Sequence, residues 1–172
     1  MDKLCYVVNR LREGHNIHIH LDLIAGLPCE DYETFRESFN KVYALRPEQL
    51  QLGFLKVLKG SYMFEKAAEY KLQYLDNPPY EVLSTAWLSY EDVLRLKEVE
   101  EMVEIYYNSN QFVRTLRLLE QVCFDAFSLY EGLADFYREK GLFVQTPSRT
   151  YRYQVLYDFC MTTELSNWKE LV

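Results

Sequence analysis

Residues 17–60 read IHIHLDLIAGLPCEDYETFRESFNKVYALRPEQLQLGFLKVLKG, and the order of patterns inside them decides the fold class. Residues 17–24 are rich in β-branched side chains and nearly continuously apolar, apart from His18, His20 and Asp22. A strand buried on both faces has this composition, and such strands belong mostly to parallel sheets. Gly26-Leu27-Pro28 then breaks the strand. Over residues 32–45, Phe35, Phe39, Val42 and Leu45 fall on one helical stripe. Glu30, Asp31 and Glu33 gather where the first turn of that helix favours negative charge. Arg46-Pro47 closes it, because Pro disfavours the helical region in the residue before it. Residues 49–58 (QLQLGFLKVL) alternate and read as a second strand, ended by Lys59-Gly60. Strand, helix and strand in this order predict a βα repeat with parallel strands.

Working outward, residues 2–13 place Leu4, Val7, Val8 and Leu11 at helical spacing, with Gly14 as the stop. That helix starts abruptly, and Met1 reads as an added start. After Ser61 the character changes. Residues 62–70 form a short amphipathic helix, Asn77-Pro78-Pro79 marks an irregular stretch, and residues 80–85 read as a short edge strand. Ser89 and Asp92 make a capping box for a helix that runs to Asn108. Residues 112–139 read as one long helix, and Thr146-Pro147 opens a last one that ends near Thr163. The expected division is therefore 1–60 for the last βα units and 61–172 for a helical C-terminal domain. Two or three parallel strands cannot close a barrel. The fold class is the α/β tail of a partial (β/α) barrel, followed by a mostly α-helical domain. If nothing precedes the first helix, either the helices cover a very small sheet or copies pair as a homodimer through its open edge.

Composition narrows the function. The net charge of −7 excludes a nucleic-acid surface, which needs clustered Lys and Arg. No apolar run approaches the length of a spanning helix, so no membrane partner is expected. Cys5, Cys29, Cys123 and Cys160 are scattered, which is neither a disulfide framework nor a zinc spacing and fits a reducing cytoplasm. Fifteen Tyr residues are the unusual count, and they suit a Tyr-lined helical core or contacts between domains.

The sharpest polar feature is His18-x-His20-x-Asp22. Residues two apart on a strand share a face, so the three side chains project together. Paired histidines on a strand occur in barrel metal hydrolases, which makes a small metal-dependent hydrolase using His18 and His20 one alternative. Such a site needs further ligands, and His15 is the remaining histidine; the other reading is polar residues lining the lumen side of a barrel strand. Gly26 and Pro28 let the backbone turn at the strand end where open and barrel sheets bind ligands. Lys56 and Lys59 end the second strand, where an ammonium can meet a carboxylate or phosphate or stay solvated. Cys29 is a turn thiol without a partner base, and no phosphate-cradling loop or dinucleotide fingerprint is present.

The segment HLDLIAGLPCEDYETFRESFNKVYALRPEQLQLGFLKVLKGSYM resembles the late strands of radical-SAM enzymes. It is most similar to those related to oxygen-independent coproporphyrinogen oxidase and to the anaerobic magnesium-protoporphyrin IX monomethyl ester cyclase group. There, a strand ending Asp-Leu-Ile-x-Gly-Leu-Pro-Gly-Glu leads into a helix and a second strand. The helical remainder, with Pro78-Pro79-Tyr80-Glu81 and Tyr106-Tyr107-Asn108, is similar to the C-terminal domain of cobalamin-binding members.

The resemblance implies cofactor contacts at Asp22, Ile24 and Gly26, with Ile24 against the adenine of S-adenosylmethionine. His18, His20 and Lys56 would then face the substrate. No catalytic residue and no metal ligand are implied in this chain. The Cys-x-x-x-Cys-x-x-Cys motif for a [4Fe–4S] cluster is missing, as is the Asp-x-His-x-x-Gly cobalamin signature. S-adenosylmethionine, the cluster and cobalamin are thus expected in a parent enzyme, with N-terminal cobalamin and radical-SAM segments as partners in cis and this chain inactive alone. Two departures stand out: Cys29 replaces the Gly of that motif, and Glu30 lies one place beyond where the broader pattern of the class puts its acid. The second alternative is a non-enzymatic helical interaction module.

Overall fold

The computed structural model describes residues 2–14, 16–145 and 147–162. The readings placed on Met1, His15 and Thr146 lie outside them. The chain divides into two compact units, Met1–Glu100 and Glu101–Val172.

In the first unit, helix α1 (Asp2–Arg12) precedes strand β1 (His20–Ala25), helix α2 (Tyr32–Tyr43) and strand β2 (Gln49–Phe54). The two strands pair in parallel, with His20 opposite Gln49 and Ala25 opposite Phe54. The α/β character read from the sequence is therefore present, as two parallel strands with helices. Strand β1 is shorter than expected. Ile17 and His18 precede it, so His18 is not on the strand that carries His20 and Asp22. Strand β2 stops four residues early for a definite reason. The Leu55 amide still donates to Ala25 at 2.9 Å, but the Leu55 carbonyl accepts from Val82 at 2.8 Å and the Val57 amide donates to Tyr80 at 2.8 Å. The chain leaving β2 exchanges its parallel partner for an antiparallel one.

Helix α2 packs against β1 and turns Phe35, Phe39, Val42 and Tyr43 inward. Burying a side chain such as Phe39 contributes roughly 2 kcal/mol. The helix starts at a capping box: the Asp31 carboxylate accepts from the Thr34 amide at 2.9 Å, and the Asp31 amide donates to the Thr34 hydroxyl at 2.8 Å. Acidity at this turn was legible, but the Asp31–Thr34 reciprocity was not read. Helix α1 is held at its C-terminal end, where the Arg12 guanidinium donates to the carbonyls of Leu45 and Arg46. Val8, Ile19 and Leu45 form a small apolar cluster beneath it. Of its expected stripe only Val8 is buried, and Leu4, Val7 and Leu11 are exposed.

Beyond β2, helix α3 spans only Tyr62–Glu65. The expected helix to Tyr70 dissolves into turns that end at Lys71, whose φ of +50° is a left-handed stop; the Leu72 amide reaches back to Ala67 at 2.8 Å. Strand β3 (Gln73–Tyr74), which the sequence reading did not include, pairs antiparallel with β4 (Val82–Ser84). Leu55, Val57, Leu72 and Val82 bury one another under these pieces. Helix α4 (Tyr90–Met102) opens on the expected capping box: the Ser89 amide donates to the Asp92 carboxylate at 2.9 Å, and the Asp92 amide donates to the Ser89 hydroxyl at 3.1 Å.

The second unit is helical. A π-helical turn (Val103–Asn108) leads to α5 (Val113–Val122), α6 (Ala126–Glu139), a short 3₁₀ turn (Leu142–Val144) and α7 (Arg149–Thr162). The single helix expected over 112–139 is two. Cys123 is extended, and the Asp125 carboxylate caps a new helix by accepting from the Ser128 amide at 2.7 Å. The last helix is capped by Ser148, whose hydroxyl accepts from the Tyr151 amide at 3.3 Å, so Pro147 stands before the cap and not at the first helical position. The Tyr-lined core is here: Tyr106, Tyr130 and Tyr137 are fully buried, and the Tyr106 and Tyr137 hydroxyls meet at 2.7 Å. That contact satisfies two polar tips that burial would otherwise leave costly. Burial, aided by the Tyr137 hydroxyl, pushes the Tyr106 phenol far above its ordinary value. Among the described residues no helix is long and apolar enough to cross a membrane.

Gly26 ties the strand end to the rest of the first unit. Its φ is +88°, and a Cβ there would stand 2.8 Å from Val82 Cγ1. Gly26→Ala should cost about 2 kcal/mol, from the left-handed backbone and the overlap together. A urea titration should show this as a lowered midpoint with an unchanged slope; a midpoint equal to the wild type contradicts it.

Candidate functional site

Alternation along the ladder sorts the side chains. Leu50 and Leu52 of β2 and Ala25 of β1 are buried, on the side where α2 packs. The other face carries His20, Asp22 and Ile24 from β1 and Gln49, Gln51 and Gly53 from β2, each opposite its register partner. His20, Asp22, Ile24 and Gln51 are exposed. The strand was expected to be buried on both faces. Only one face is covered, because α2 lies on one side and two strands offer the other no neighbour.

At the C-terminal ends of β1 and β2 this open face forms a concavity of about 410 Å³. Its lining joins Asp22 and Ile24 with Gly53, Phe54, Leu55 and Lys56. The volume is in the range of small-molecule sites, and the position is the end of a parallel sheet where ligands bind. Three residues singled out in the sequence therefore come together: Asp22, Ile24 and Lys56. Ile24 is 46% exposed, an apolar side chain held at the surface by a rigid ladder. The Lys56 backbone bridges to Glu81, while its side chain is exposed.

The other three lie elsewhere. Gly26 is buried, and the room it leaves is filled by Val82, so its packing role is met within the chain. His20 shares the open face but stands nearer the start of the strand, where its Nε2 lies 3.0 Å from the Asp22 carboxylate. His18 is exposed ahead of the strand and adds to the field that holds the Glu48 carboxyl below its ordinary value; the largest cause of that lowering is the Ile19 amide, which donates to Glu48 at 2.8 Å. Among the described residues no three His, Cys, Asp or Glu groups come together to hold a metal. All four cysteines are free.

Sequence reasoning missed Gly53, Phe54 and Leu55. Gly53 had a signal: it interrupts the alternation of QLQLGF where a strand would place a side chain on the open face, which marks close approach of something else. Phe54 is packed by the Lys97 ammonium, 4.4 Å from its ring centroid, and Lys97 is in turn paired with Glu81. Nothing local in the sequence announces that contact. Cys29 resolves its own anomaly, since its φ of +66° is the left-handed conformation in which a Gly is usual. In the second unit, Arg152 Nε is buried with no hydrogen-bond partner among the described residues, and the Arg152 charge acts on the Tyr106 and Tyr137 phenols.

Chemically, the concavity offers an apolar floor with a carboxylate toward one end and an ammonium at the other. That set can bind and orient. It supplies no metal group of its own.

Two comparisons bear on the chain. Residues 68–172 match a family described as "Protein of unknown function (DUF4080)". The chain is also similar to the uncharacterized protein YtqA of Bacillus subtilis (strain 168), with 35% identity over 78 residues. Those residues are 44% of this chain and 24% of that relative, so the match spans about a quarter of the relative's length.

The loop between β1 and α2 carries a pH dependence. Burial raises the Glu30 carboxyl above its ordinary value; the Ser38 hydroxyl, donating to it at 3.2 Å, opposes this, and the Asp31 charge adds to it. A carboxyl whose folded value is raised leaves stability intact below its unfolded value and removes some as pH climbs through the folded one. Glu30→Gln should therefore gain stability relative to the wild type at pH 7 more than at pH 4, read as the gap between urea midpoints. A gap that is larger at pH 4 contradicts this.

Proposed function

The chain belongs to the DUF4080 family, and with that as premise we propose that it forms the C-terminal part of a radical-SAM enzyme. The reading is an Fe–S oxidoreductase or methyltransferase of the magnesium-protoporphyrin IX monomethyl ester cyclase type, in which β1 and β2 are one wall of the S-adenosylmethionine and substrate site. One observation carries it: Asp22 and Ile24 of the sequence motif, and Lys56 from the end of the second strand, line a single concavity at the C-terminal ends of a parallel pair. The resemblance of residues 17–60 to the late strands of that class supports it from the sequence side.

Each residue has a part that follows from its position. Ile24 presents an exposed apolar side chain on which a flat purine can lie, and removing both from water favours the contact. Gly53 stands opposite Ile24 and leaves room for that ring, since nothing but the Leu23 carbonyl, at 3.7 Å, lies near the site of its missing Cβ. Asp22, steadied by His20, offers a carboxylate to hydroxyl or amine donors. S-adenosylmethionine, when bound, supplies the precursor of the reactive radical.

A [4Fe–4S] cluster does not fit this chain. Cys5, Cys29, Cys123 and Cys160 lack the spacing, and no metal-holding group exists among the described residues. In the proposed enzyme the cluster and cobalamin belong to N-terminal segments in cis, and the free edges of the β1–β2 pair are where further strands of the barrel join, leaving the open face to the lumen. Four free thiols fit a cytoplasmic setting.

The test uses the protein made from the whole reading frame that contains this segment, purified without oxygen. With S-adenosylmethionine and a strong reductant it should release 5′-deoxyadenosine. Ile24→Asp should lower that rate about a hundredfold, because a charge replaces an apolar contact in a desolvated site. A wild-type protein that binds no iron and releases no 5′-deoxyadenosine sinks the proposal.

A further inference from the structure

The charges around the concavity do not balance, and the imbalance selects a ligand. Its floor is apolar, from Ile24 and Leu55. Two charged groups line it, Asp22 and Lys56. Asp22 already has a partner, since His20 Nε2 stands 3.0 Å from its carboxylate. Lys97, beside Phe54, is likewise paired with Glu81. Lys56 is different: its ammonium has no hydrogen bond or ion pair among the described residues, although its backbone is fixed by the bridge to Glu81. An anchored backbone limits where the ammonium can go, so less freedom is lost when an anion arrives.

Position adds a second reason. Asp22 pairs with Gln51 in the register, and Lys56 lies five residues further along. That separation is on the order of 16 Å of extended chain, more than a Debye length at physiological salt. An anion seated at Lys56 is therefore largely screened from the Asp22 carboxylate. The nearer charges, Lys97 and Glu81, offset one another. The Lys56 end is left electropositive beside an apolar wall.

We infer that the concavity takes a small organic anion, a ring-sized apolar body lying on Ile24 and Leu55 with a carboxylate or similar group held by Lys56. This rests on the concavity being a ligand site, the element it shares with the proposed function, and does not depend on the ligand being S-adenosylmethionine. Lys56 is then a specificity-determining residue, selecting anionic ligands over neutral ones of the same shape.

The test compares two fluorescent probes on the full chain: anilinonaphthalenesulfonate, an aromatic body with an anionic group, and phenylnaphthylamine, a similar body without one. The wild type should bind the sulfonate more tightly than the neutral probe. Lys56→Met should weaken the sulfonate about tenfold, the size of one charge-assisted hydrogen bond, and leave the neutral probe unchanged. Lys56→Arg should keep the sulfonate. Gly53→Val, which puts a side chain on the open face with room to stand, should weaken both probes. Equal affinity of Lys56→Met and wild type for the sulfonate overturns the inference, as does equal loss of both probes in Lys56→Met. So does a Gly53→Val chain that still binds both, since the probes would then sit elsewhere. A protein that makes no 5′-deoxyadenosine but shows the probe split sinks the proposed enzyme and leaves the anion site standing.

Discussion

Six residues of β1 pair one for one with six of β2. Because side chains alternate, that register sends Leu50 and Leu52 to one face, and Asp22, Ile24, Gln51 and Gly53 to the other. A slip of one residue would exchange the two sets. It would put Leu50 and Leu52, now buried, into water, which the loss of apolar burial forbids at roughly 2 kcal/mol per side chain. The concavity exists because this ladder is rigid and covered on one side only. Around it, the Asp31–Thr34 box fixes where α2 begins, and Arg12 holds the carbonyls that end the turn before β2. The positive φ of Gly26 lets the chain leave β1 beneath Val82.

What was legible in the sequence was legible because it is local or periodic. The βα order came from one stripe of Phe35, Phe39 and Val42 between two apolar runs, and the Ser89–Asp92 box came from spacing alone. Asp22 and Ile24 followed from strand parity and from resemblance, Lys56 from its place at the end of the second strand, and the structure brings all three to one concavity. The misses have long-range or competing causes. Residues 55–57 continue the alternation of β2, yet pair with 80–82, a partner no local pattern reveals. The break at Cys123 sits inside an apolar period, and a single Asp125 cap outweighs it. His18 carries the right parity but lies before the first ladder residue, so parity never applied to it.

The second unit obeys a different economy. Its centre is aromatic, with Tyr106 edge-on to Tyr137 at 6.1 Å and to Phe112 at 5.1 Å. Such contacts stabilise a helical core while the phenol oxygens satisfy each other. The π-helical turn that carries Tyr106 had no signature in the sequence. Its family match over residues 68–172 covers all of this unit and the end of the first, whereas β1 and β2 lie ahead of it.

The central claim is that the open end of the β1–β2 ladder receives a ligand of the S-adenosylmethionine kind. Methyl NMR of the chain, titrated with S-adenosylmethionine, tests it most directly, because Ile24 and Leu55 carry methyl groups at the concavity. Saturable shifts should appear at Ile24 and Leu55, while Val155 and Leu156, buried in α7, stay still. Saturable shifts confined to the methyls of α6 and α7, with Ile24 unmoved, would contradict the account.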